Sequence, residues 1–337
     1  MRAHGKPNSN PRYDYEKAKA IVDSNPQLRI LTDVEKEQLI TRILESPFLD
    51  LTDDWAFKRV LGNSLGLQKN ILEDILEVKI SSIEHLPNEI AVSAPDDKHA
   101  RVDVCCTFAD TGKQAVIEMQ NHDESDFHQR MYYYGAALSV NSVKSGKDYT
   151  VLKPSYVICF ANFDIPHENA VHEQCIFRYT LIEKQIKETY PGEPLNLYMC
   201  ELPRLRKSLD KIKSCTAAER WLYLFRNCSN FEGRPEEYND SKYDEVFDQA
   251  RTQKLTEEDL MDYLNSKISE ARMLRCEEAG YIRGKREGKA EGREEGREEG
   301  REEERLVIAK SMLSTGAALE YVVTVTGLSE EQVNSLK

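Results

Sequence analysis

The sequence has no cysteine pair in the C-x2-C spacing that marks zinc sites and thiol redox motifs. Its eight cysteines are scattered, and the one adjacent pair is Cys105 and Cys106. These two lie in a segment predicted as a strand, where successive side chains point to opposite faces and cannot join one ligand set. We therefore expect reduced, mostly buried thiols without a role in metal binding.

The sequence also lacks any apolar run near the roughly 20 residues that a membrane-spanning helix needs. Its first residues are polar and interrupted by proline, so they lack the apolar core of a secretory signal peptide. Hydrophobic residues make up 40% of the chain and charged residues 31%, which is typical of globular proteins. We therefore expect a cytoplasmic protein without a membrane partner.

An excess of positive charge is missing as well, because the formal net charge is −13 at pH 7. This balance excludes a protein that coats nucleic acid through its bulk charge, since such binding needs clustered lysine and arginine. It leaves room for a local basic patch. The seven histidines show no H-E-x-x-H pattern of zinc hydrolases, so we assign none of them to a metal.

The length of 337 residues allows one sizeable domain with appendages, since single cores stop growing near about 250–300 residues. Within that domain the predicted order is helix, strand, β-hairpin, helix and strand. This order predicts an α/β fold with a mixed central sheet flanked by helices, followed by a long C-terminal helical tail. Composition and periodicity give five segments: a lead-in at 1–46, the folded domain at 47–230, a helical linker at 231–280, a glycine-periodic charged helix at 281–305, and a small helical hairpin at 306–337.

The β-hairpin carries the most informative polar residues. Its strands are predicted at 101–108 and 114–120, around a turn rich in Asp, Thr and Gly. On the second strand, Glu118 and Gln120 share one face because side chains alternate with a period of two. Asp103 on the partner strand can then lie beside Glu118. Two such carboxylates predict a site for Mg²⁺ or Mn²⁺, ions that prefer oxygen ligands and support phosphodiester hydrolysis.

The spacing of these residues resembles the signature of the PD-(D/E)XK nuclease superfamily, in which Asp is followed by Asp/Glu-x-Lys. Here fourteen residues separate Asp103 from Glu118-Met-Gln120. Over about 47–230, short flanking motifs resemble those of the recombination-promoting nuclease (Rpn) family of transposase-like proteins. These motifs are Asp54-Trp-Ala-Phe-Lys58, the stretch at 96–98, Phe127-His-Gln-Arg130, Glu201-Leu-Pro203 and Trp221-Leu-Tyr-Leu-Phe225.

This resemblance implies a restriction-endonuclease-like fold and Mg²⁺-dependent cleavage of double-stranded DNA, linked to recombination or mobile elements. Carried over by position, Asp103 and Glu118 are catalytic metal ligands, and Gln120 occupies the lysine position. The chain departs from the signature at two points, with Val102 in place of proline and the neutral Gln120 in place of lysine. The second departure leaves an alternative open: a catalytically inactive nuclease-like fold that acts as a DNA-binding or oligomeric adaptor.

Two further residues are candidates for substrate binding. Arg130 and Tyr134 lie four residues apart in a predicted helix, so both can reach the same phosphate. The same spacing also fits a solvated arginine beside a core tyrosine. Asp54 is either an additional acid of the site or a charge that favours the N-terminus of its helix.

The tail has its own periodicity, because glycine recurs every four residues from Gly284 to Gly300 among charged residues. Each internal glycine costs a helix about 1 kcal/mol, which close packing against a partner helix can offset. We therefore predict a homo-oligomer formed through this tail, with a flexible spacer as the alternative. The segment 306–337 resembles the tail end of the same family. A helix-turn-helix is the alternative there, although its two basic residues, Lys310 and Lys337, offer little to phosphate.

Overall fold

The computed structural model describes residues 15–26, 29, 31–90, 100–143, 148–169 and 173–336. The motif stretch at 96–98 and the first part of the lead-in, residues 1–14, lie outside the described residues. The chain divides into two compact units, Met1–Ile268 and Ser269–Lys337. In the described part of the chain, no helix combines the length and apolar character needed to cross a bilayer.

A mixed sheet forms the centre of the first unit. The described strands are β1 (Ile83–His85), β2 (Glu89–Ile90), β3 (Ala100–Arg101), β4 (Val104–Phe108), β5 (Gln114–Gln120), β6 (Ser155–Ala161), β7 (Ile176–Thr180) and β8 (Leu195–Glu201). Six of them form one sheet in the order β1, β4, β5, β6, β8, β7, while β2 and β3 pair separately. β5, β6 and β8 run parallel, so their carboxyl ends meet at one edge of the sheet.

The described helices are α1 (Tyr15–Ser24), α2 (Asp33–Glu45), α3 (Asp54–Leu61), α4 (Leu65–Leu76), α5 (Phe127–Asn141), α6 (Ala217–Asn227), α7 (Asp244–Gln249), α8 (Glu257–Ser314), α9 (Leu319–Thr326) and α10 (Glu330–Asn334). Local sequence explains where the important ones begin. The side chain of Asp53 caps α3 by accepting a hydrogen bond from the Ala56 N–H. Thr216 and Glu219 form a reciprocal capping box at the start of α6.

Apolar side chains cover both faces of the sheet. Along β5, Ile117 packs into a larger core with α3, α4, α6 and α7, whereas Val116 packs into a smaller core with α5. In the larger core, Phe57, Phe160 and Phe225 meet edge to face with ring centroids 4.7 to 6.2 Å apart. The predicted fold class, a mixed central sheet with flanking helices and a long C-terminal helix, is therefore confirmed.

The hairpin differs from its prediction in one respect that matters for the site. Its first strand was expected at 101–108, but β4 begins only at Val104, and Val102 and Asp103 lie between strands. Here the backbone turns toward the β2–β3 ribbon, because the Val102 N–H donates to the Asn88 carbonyl and the Asn88 side chain donates to the Asp103 carbonyl. Asp103 therefore sits at a bend just before the sheet.

Residues 231–268 also belong to the first unit. Tyr238, Tyr243 and Phe247 are buried in the larger core. Near the start of α8, Lys267 Nζ lies 2.9 Å from Asp50 Oδ2. The domain end at 230 stays a prediction, to which the structure adds that the segment after it packs into the same core.

The second unit has a small core of its own, in which Ala309, Val322, Leu328 and Val333 are buried. Its last helix, α10, starts with a capping box formed by Ser329 and Gln332. Along α8, a Cβ atom built on each glycine from Gly284 to Gly300 would meet no described atom within 4 Å. Self-association through this glycine row stays a prediction.

Candidate active site

The candidate site lies at the end of the β4–β5 hairpin, where backbone hydrogen bonds bring Asp103 and Glu118 together. The Asp103 N–H donates to Glu118 Oε1 over 2.7 Å. The Met119 N–H donates to Asp103 Oδ2 over 2.8 Å. Each carboxylate is therefore fixed by the peptide backbone beside the other acidic residue. The predicted convergence needs the bend at Asp103, because a residue in regular strand geometry would use its N–H in the ladder.

Both carboxyl groups are deeply buried, since Asp103 is 5% exposed and Glu118 is 2% exposed. Burial raises the pKa of Asp103 to about 6, although Lys58 and the Met119 N–H oppose this shift. Burial also raises the pKa of Glu118 well above its usual range, and the charge of Asp103 raises it further. Burial and mutual repulsion therefore disfavour the doubly ionised pair, and a bound cation would stabilise it. Such a site favours a bound cation.

Gln120 is fixed by charged neighbours on both ends of its carboxamide. Its Nε2 donates to Glu118 Oε2 over 3.3 Å, and its Oε1 accepts from Arg130 Nη2 over 2.5 Å. Arg130 is balanced in turn by Glu124, with 2.7 Å between Nη1 and Oε2. These contacts fix the orientation of the amide. Its NH₂ group points toward the acidic pair, and its oxygen points toward Arg130.

The two predicted substrate-binding residues end in different places. Arg130 reaches the site edge and contacts Gln120, so the structure brings it to the acidic pair. Tyr134 is buried in the smaller core between α5 and the sheet. Burial raises the pKa of Tyr134, as does the nearby charge of Glu118. Tyr134 thus packs in the core next to the site, and its direct contact with DNA stays a prediction.

Sequence reasoning missed one charged neighbour, Lys58 on α3. Its Nζ lies 3.2 Å from Asp103 Oδ1 and 2.7 Å from Asp54 Oδ1. Burial alone would lower the pKa of Lys58, but the charges of Asp103 and Asp54 raise it above its usual value. Asp54 and Lys58 are four residues apart, so the sequence alone indicates an ion pair between them on one helix. The contact with Asp103, far away in the chain, has no such local signal.

Asparagine side chains tie the start of α3 to the site edge of the sheet. Asn121 Nδ2 donates to the Thr52 carbonyl over 2.6 Å, and Asn162 Nδ2 donates to Asn121 Oδ1 over 3.1 Å. The Asn162 N–H also donates to the Gln120 carbonyl over 2.8 Å. The loop before α3 is thereby held against the ends of β5 and β6, which fixes where Lys58 stands.

The donor set of the site suits some metals and not others. Among the described residues, no group of three or more His, Cys, Asp and Glu side chains could hold a metal ion. Two carboxylates fit Mg²⁺ or Mn²⁺, because Mg²⁺ usually keeps several water ligands, whereas structural zinc takes four protein ligands. All eight cysteines are free and six are buried. Burial raises the pKa of Cys105 to about 12, so its thiol stays protonated and is a poor ligand.

Comparison with known families gives two matches. The model described as PD-(D/E)XK nuclease family transposase matches residues 51–272, about two thirds of the chain. The model described as Rpn/YhgA-like nuclease family, C-terminal HTH domain matches residues 302–337. This second match supports the helix-turn-helix alternative, which the scarcity of basic residues disfavours. No curated protein and no solved structure matches the chain significantly.

Proposed function

Because the chain belongs to the PD-(D/E)XK nuclease family of transposases, we propose that it hydrolyses phosphodiester bonds of double-stranded DNA in the cytoplasm. Asp103 and Glu118 hold a divalent ion, Mg²⁺ or Mn²⁺, in this reaction. The observation that carries the proposal is the pair of backbone hydrogen bonds that places two buried carboxylates side by side at the hairpin end. A cation between them would offset the cost of burying two ionised carboxylates, which supports cation binding.

The reaction adds water to phosphorus and breaks one P–O ester bond. A phosphodiester thus becomes a phosphate monoester and a free hydroxyl group, with one proton of the water ending on the leaving oxygen. A bound divalent ion lowers the pKa of water and offsets charge on the phosphate. Gln120 orients the water or a phosphate oxygen through its fixed carboxamide. Arg130 binds phosphate from the side of α5, as its contact with Gln120 suggests.

Supercoiled plasmid tests the proposal directly. With Mg²⁺ or Mn²⁺, the wild type is expected to produce nicked and then linear DNA, and EDTA is expected to stop the reaction. Asp103→Ala removes one of two proposed metal ligands and is expected to slow nicking by at least about 100-fold. Gel traces that are identical for the two proteins would favour the alternative, an inactive nuclease-like fold that serves as a DNA-binding or oligomeric adaptor.

We further propose that the C-terminal unit contacts DNA through the segment 302–337. The support is the family match over that segment and the small independent core of its helices. Lys310 is exposed and is the one basic side chain among the described residues of 306–336. Each phosphate contact adds about 0.9 to the slope of log affinity against log salt concentration. We expect Lys310→Ala to reduce that slope by about one, measured without metal.

The matched control for this measurement is Lys254→Ala, because Lys254 is a half-exposed lysine of the other unit. An unchanged slope in Lys310→Ala would argue that the segment binds a partner other than DNA.

The tail at 281–305 is proposed as the element that joins copies of the chain. Its glycines face open space, so partner helices can approach the backbone closely.

A further inference from the structure

We propose that Lys58 supplies the positive charge that contacts the scissile phosphate, in place of a lysine at position 120. This inference rests on the nuclease function proposed above. Two ionised carboxylates offset one divalent ion, so the negative charge of the phosphodiester, which grows as water attacks, needs another cation. The amide of Gln120 carries no charge.

Among the described residues, Lys58 is the one cation that forms an ion pair with either site carboxylate. Arg130 is the other cation nearby, but it reaches the acidic pair only through Gln120 and is already paired with Glu124. Lys58 contacts Asp103 Oδ1 itself, over 3.2 Å. Its ammonium group therefore lies directly beside a carboxylate that would hold the metal ion.

The exposure of Lys58 fits a substrate contact. Its side chain is 46% exposed, and its second partner, Asp54, is 62% exposed and lies toward solvent. The ammonium group thus bridges a buried carboxylate and an exposed one, and it remains accessible from solvent. A lysine on its long flexible stem can turn from Asp54 to a phosphate without moving the helix. A fully buried lysine locked between two acids would not offer that freedom.

The helix that carries Lys58 is held firmly. The preceding residue, Phe57, is fully buried and packs against Phe160 on β6 and Phe225 on α6. Asp53 caps the helix, and Asn121 holds the Thr52 carbonyl before it. These contacts anchor α3 on the face of the sheet opposite α5. Lys58 and Arg130 therefore reach the site from different sides.

The test compares single-turnover cleavage of plasmid by the full chain at saturating metal. Lys58→Met, which keeps the stem and removes the charge, is expected to slow cleavage by about 100-fold. Adding Gln120→Lys to that variant puts the charge on β5 and is expected to recover about tenfold of the loss. Lys254→Met is the matched control, because Lys254 is 47% exposed and paired with Asp248. It is expected to cleave like the wild type.

A second readout separates a phosphate contact from a structural support for Asp103. Calorimetric titration with Mn²⁺ alone is expected to show unchanged or tighter binding in Lys58→Met, since a competing positive charge is gone. Weaker Mn²⁺ binding without recovery by Gln120→Lys would make Lys58 a support for Asp103 and overturn the inference. Wild-type rates in Lys58→Met would overturn it too. If the wild type shows no cleavage that depends on Asp103, the proposed function fails first and this inference with it.

Discussion

Glu118→Gln is expected to remove cleavage and to stabilise the metal-free protein at the same time. The side chain keeps its shape and can still accept the Asp103 N–H through its oxygen, while its new NH₂ group faces Gln120 and loses only the long 3.3 Å bond from Gln120 Nε2. It loses the charge that would hold a divalent ion, so cleavage is expected to fall by about 1000-fold. The fold no longer has to bury an ionised Glu118, whose pKa lies well above its usual range because of burial. Plasmid cleavage and urea unfolding in EDTA measure the two effects.

The stability gain has a pH dependence with a defined sign. A carboxyl group with a raised folded-state pKa stabilises the fold below its unfolded pKa, and that stability is lost as the pH rises through the folded value. For Asp103 this window runs from its ordinary value of 3.8 through about 6, and for Glu118 it extends further upward. The wild type in EDTA is expected to lose stability on the order of 3 kcal/mol from Asp103 alone across that window.

The wild type and Glu118→Gln should therefore differ little in stability near pH 4 and increasingly above pH 6, where Glu118→Gln is the more stable. Each unit by which folding raises the pKa of Glu118 adds about 1.4 kcal/mol to the final difference in free energy of unfolding. Added Mn²⁺ should stabilise the wild type and leave the variant unchanged. A Glu118→Gln protein that is less stable than the wild type at pH 8 in EDTA would mean that the hydrogen bonds of Glu118 outweigh the cost of burying its charge. Equal stabilisation of both proteins by Mn²⁺ would contradict the metal-binding role.

Asp50→Asn provides a matched control with the opposite sign. Asp50 is also a buried carboxylate, but the charge of Lys267 and several hydrogen bonds outweigh burial and lower its pKa. Its ionised form stabilises the fold above its unfolded pKa, and that stability is lost as the pH falls. Asp50→Asn is expected to destabilise the protein at pH 7 by about 3 kcal/mol, because it leaves Lys267 without this partner. Cleavage by the folded fraction should stay near that of the wild type.

The part of the site on β5 was predictable from the sequence, while the part that completes it was not. Alternation along the strand gives the shared face of Glu118 and Gln120. The position of Asp103 depends on a bend held by the Asn88 side chain, and no local pattern predicts that contact. Lys58 is identifiable as a helical partner of Asp54, but its approach to Asp103 depends on how α3 packs against the sheet.

The edge strand β7 shows a different limit of prediction from the sequence. Its sequence, Ile176–Thr180, has one buried residue and several exposed or half-exposed ones, including Arg178. Edge strands face water on one side and carry charges, so their hydrophobic pattern is weak.

The C-terminal segment shows a third limit of prediction from the sequence. Its few basic residues argue against a DNA-binding element, yet the family match supports a helix-turn-helix domain, whose helix arrangement a count of charges does not capture.

Phe225→Ala is expected to cause the largest loss of stability of the variants described. The ring is fully buried on α6 and contacts Phe57 on α3 and Phe160 on β6, with centroids 5.6 and 4.7 Å away. Removing a buried phenylalanine side chain typically costs about 3–5 kcal/mol, because the cavity closes only in part. Urea unfolding should show this loss with an unchanged m-value.

The same variant separates the two halves of the site. Asp103 and Glu118 are held by backbone hydrogen bonds of the hairpin, whereas Lys58 depends on the packing of α3 through Phe57. Under conditions where Phe225→Ala is folded, Mn²⁺ binding should therefore survive while cleavage falls, as in Lys58→Met. Tyr149→Ala, at a residue that is 80% exposed, should change stability by less than about 0.5 kcal/mol. Equal losses of Mn²⁺ binding and cleavage in folded Phe225→Ala would show that α3 supports the carboxylates as well.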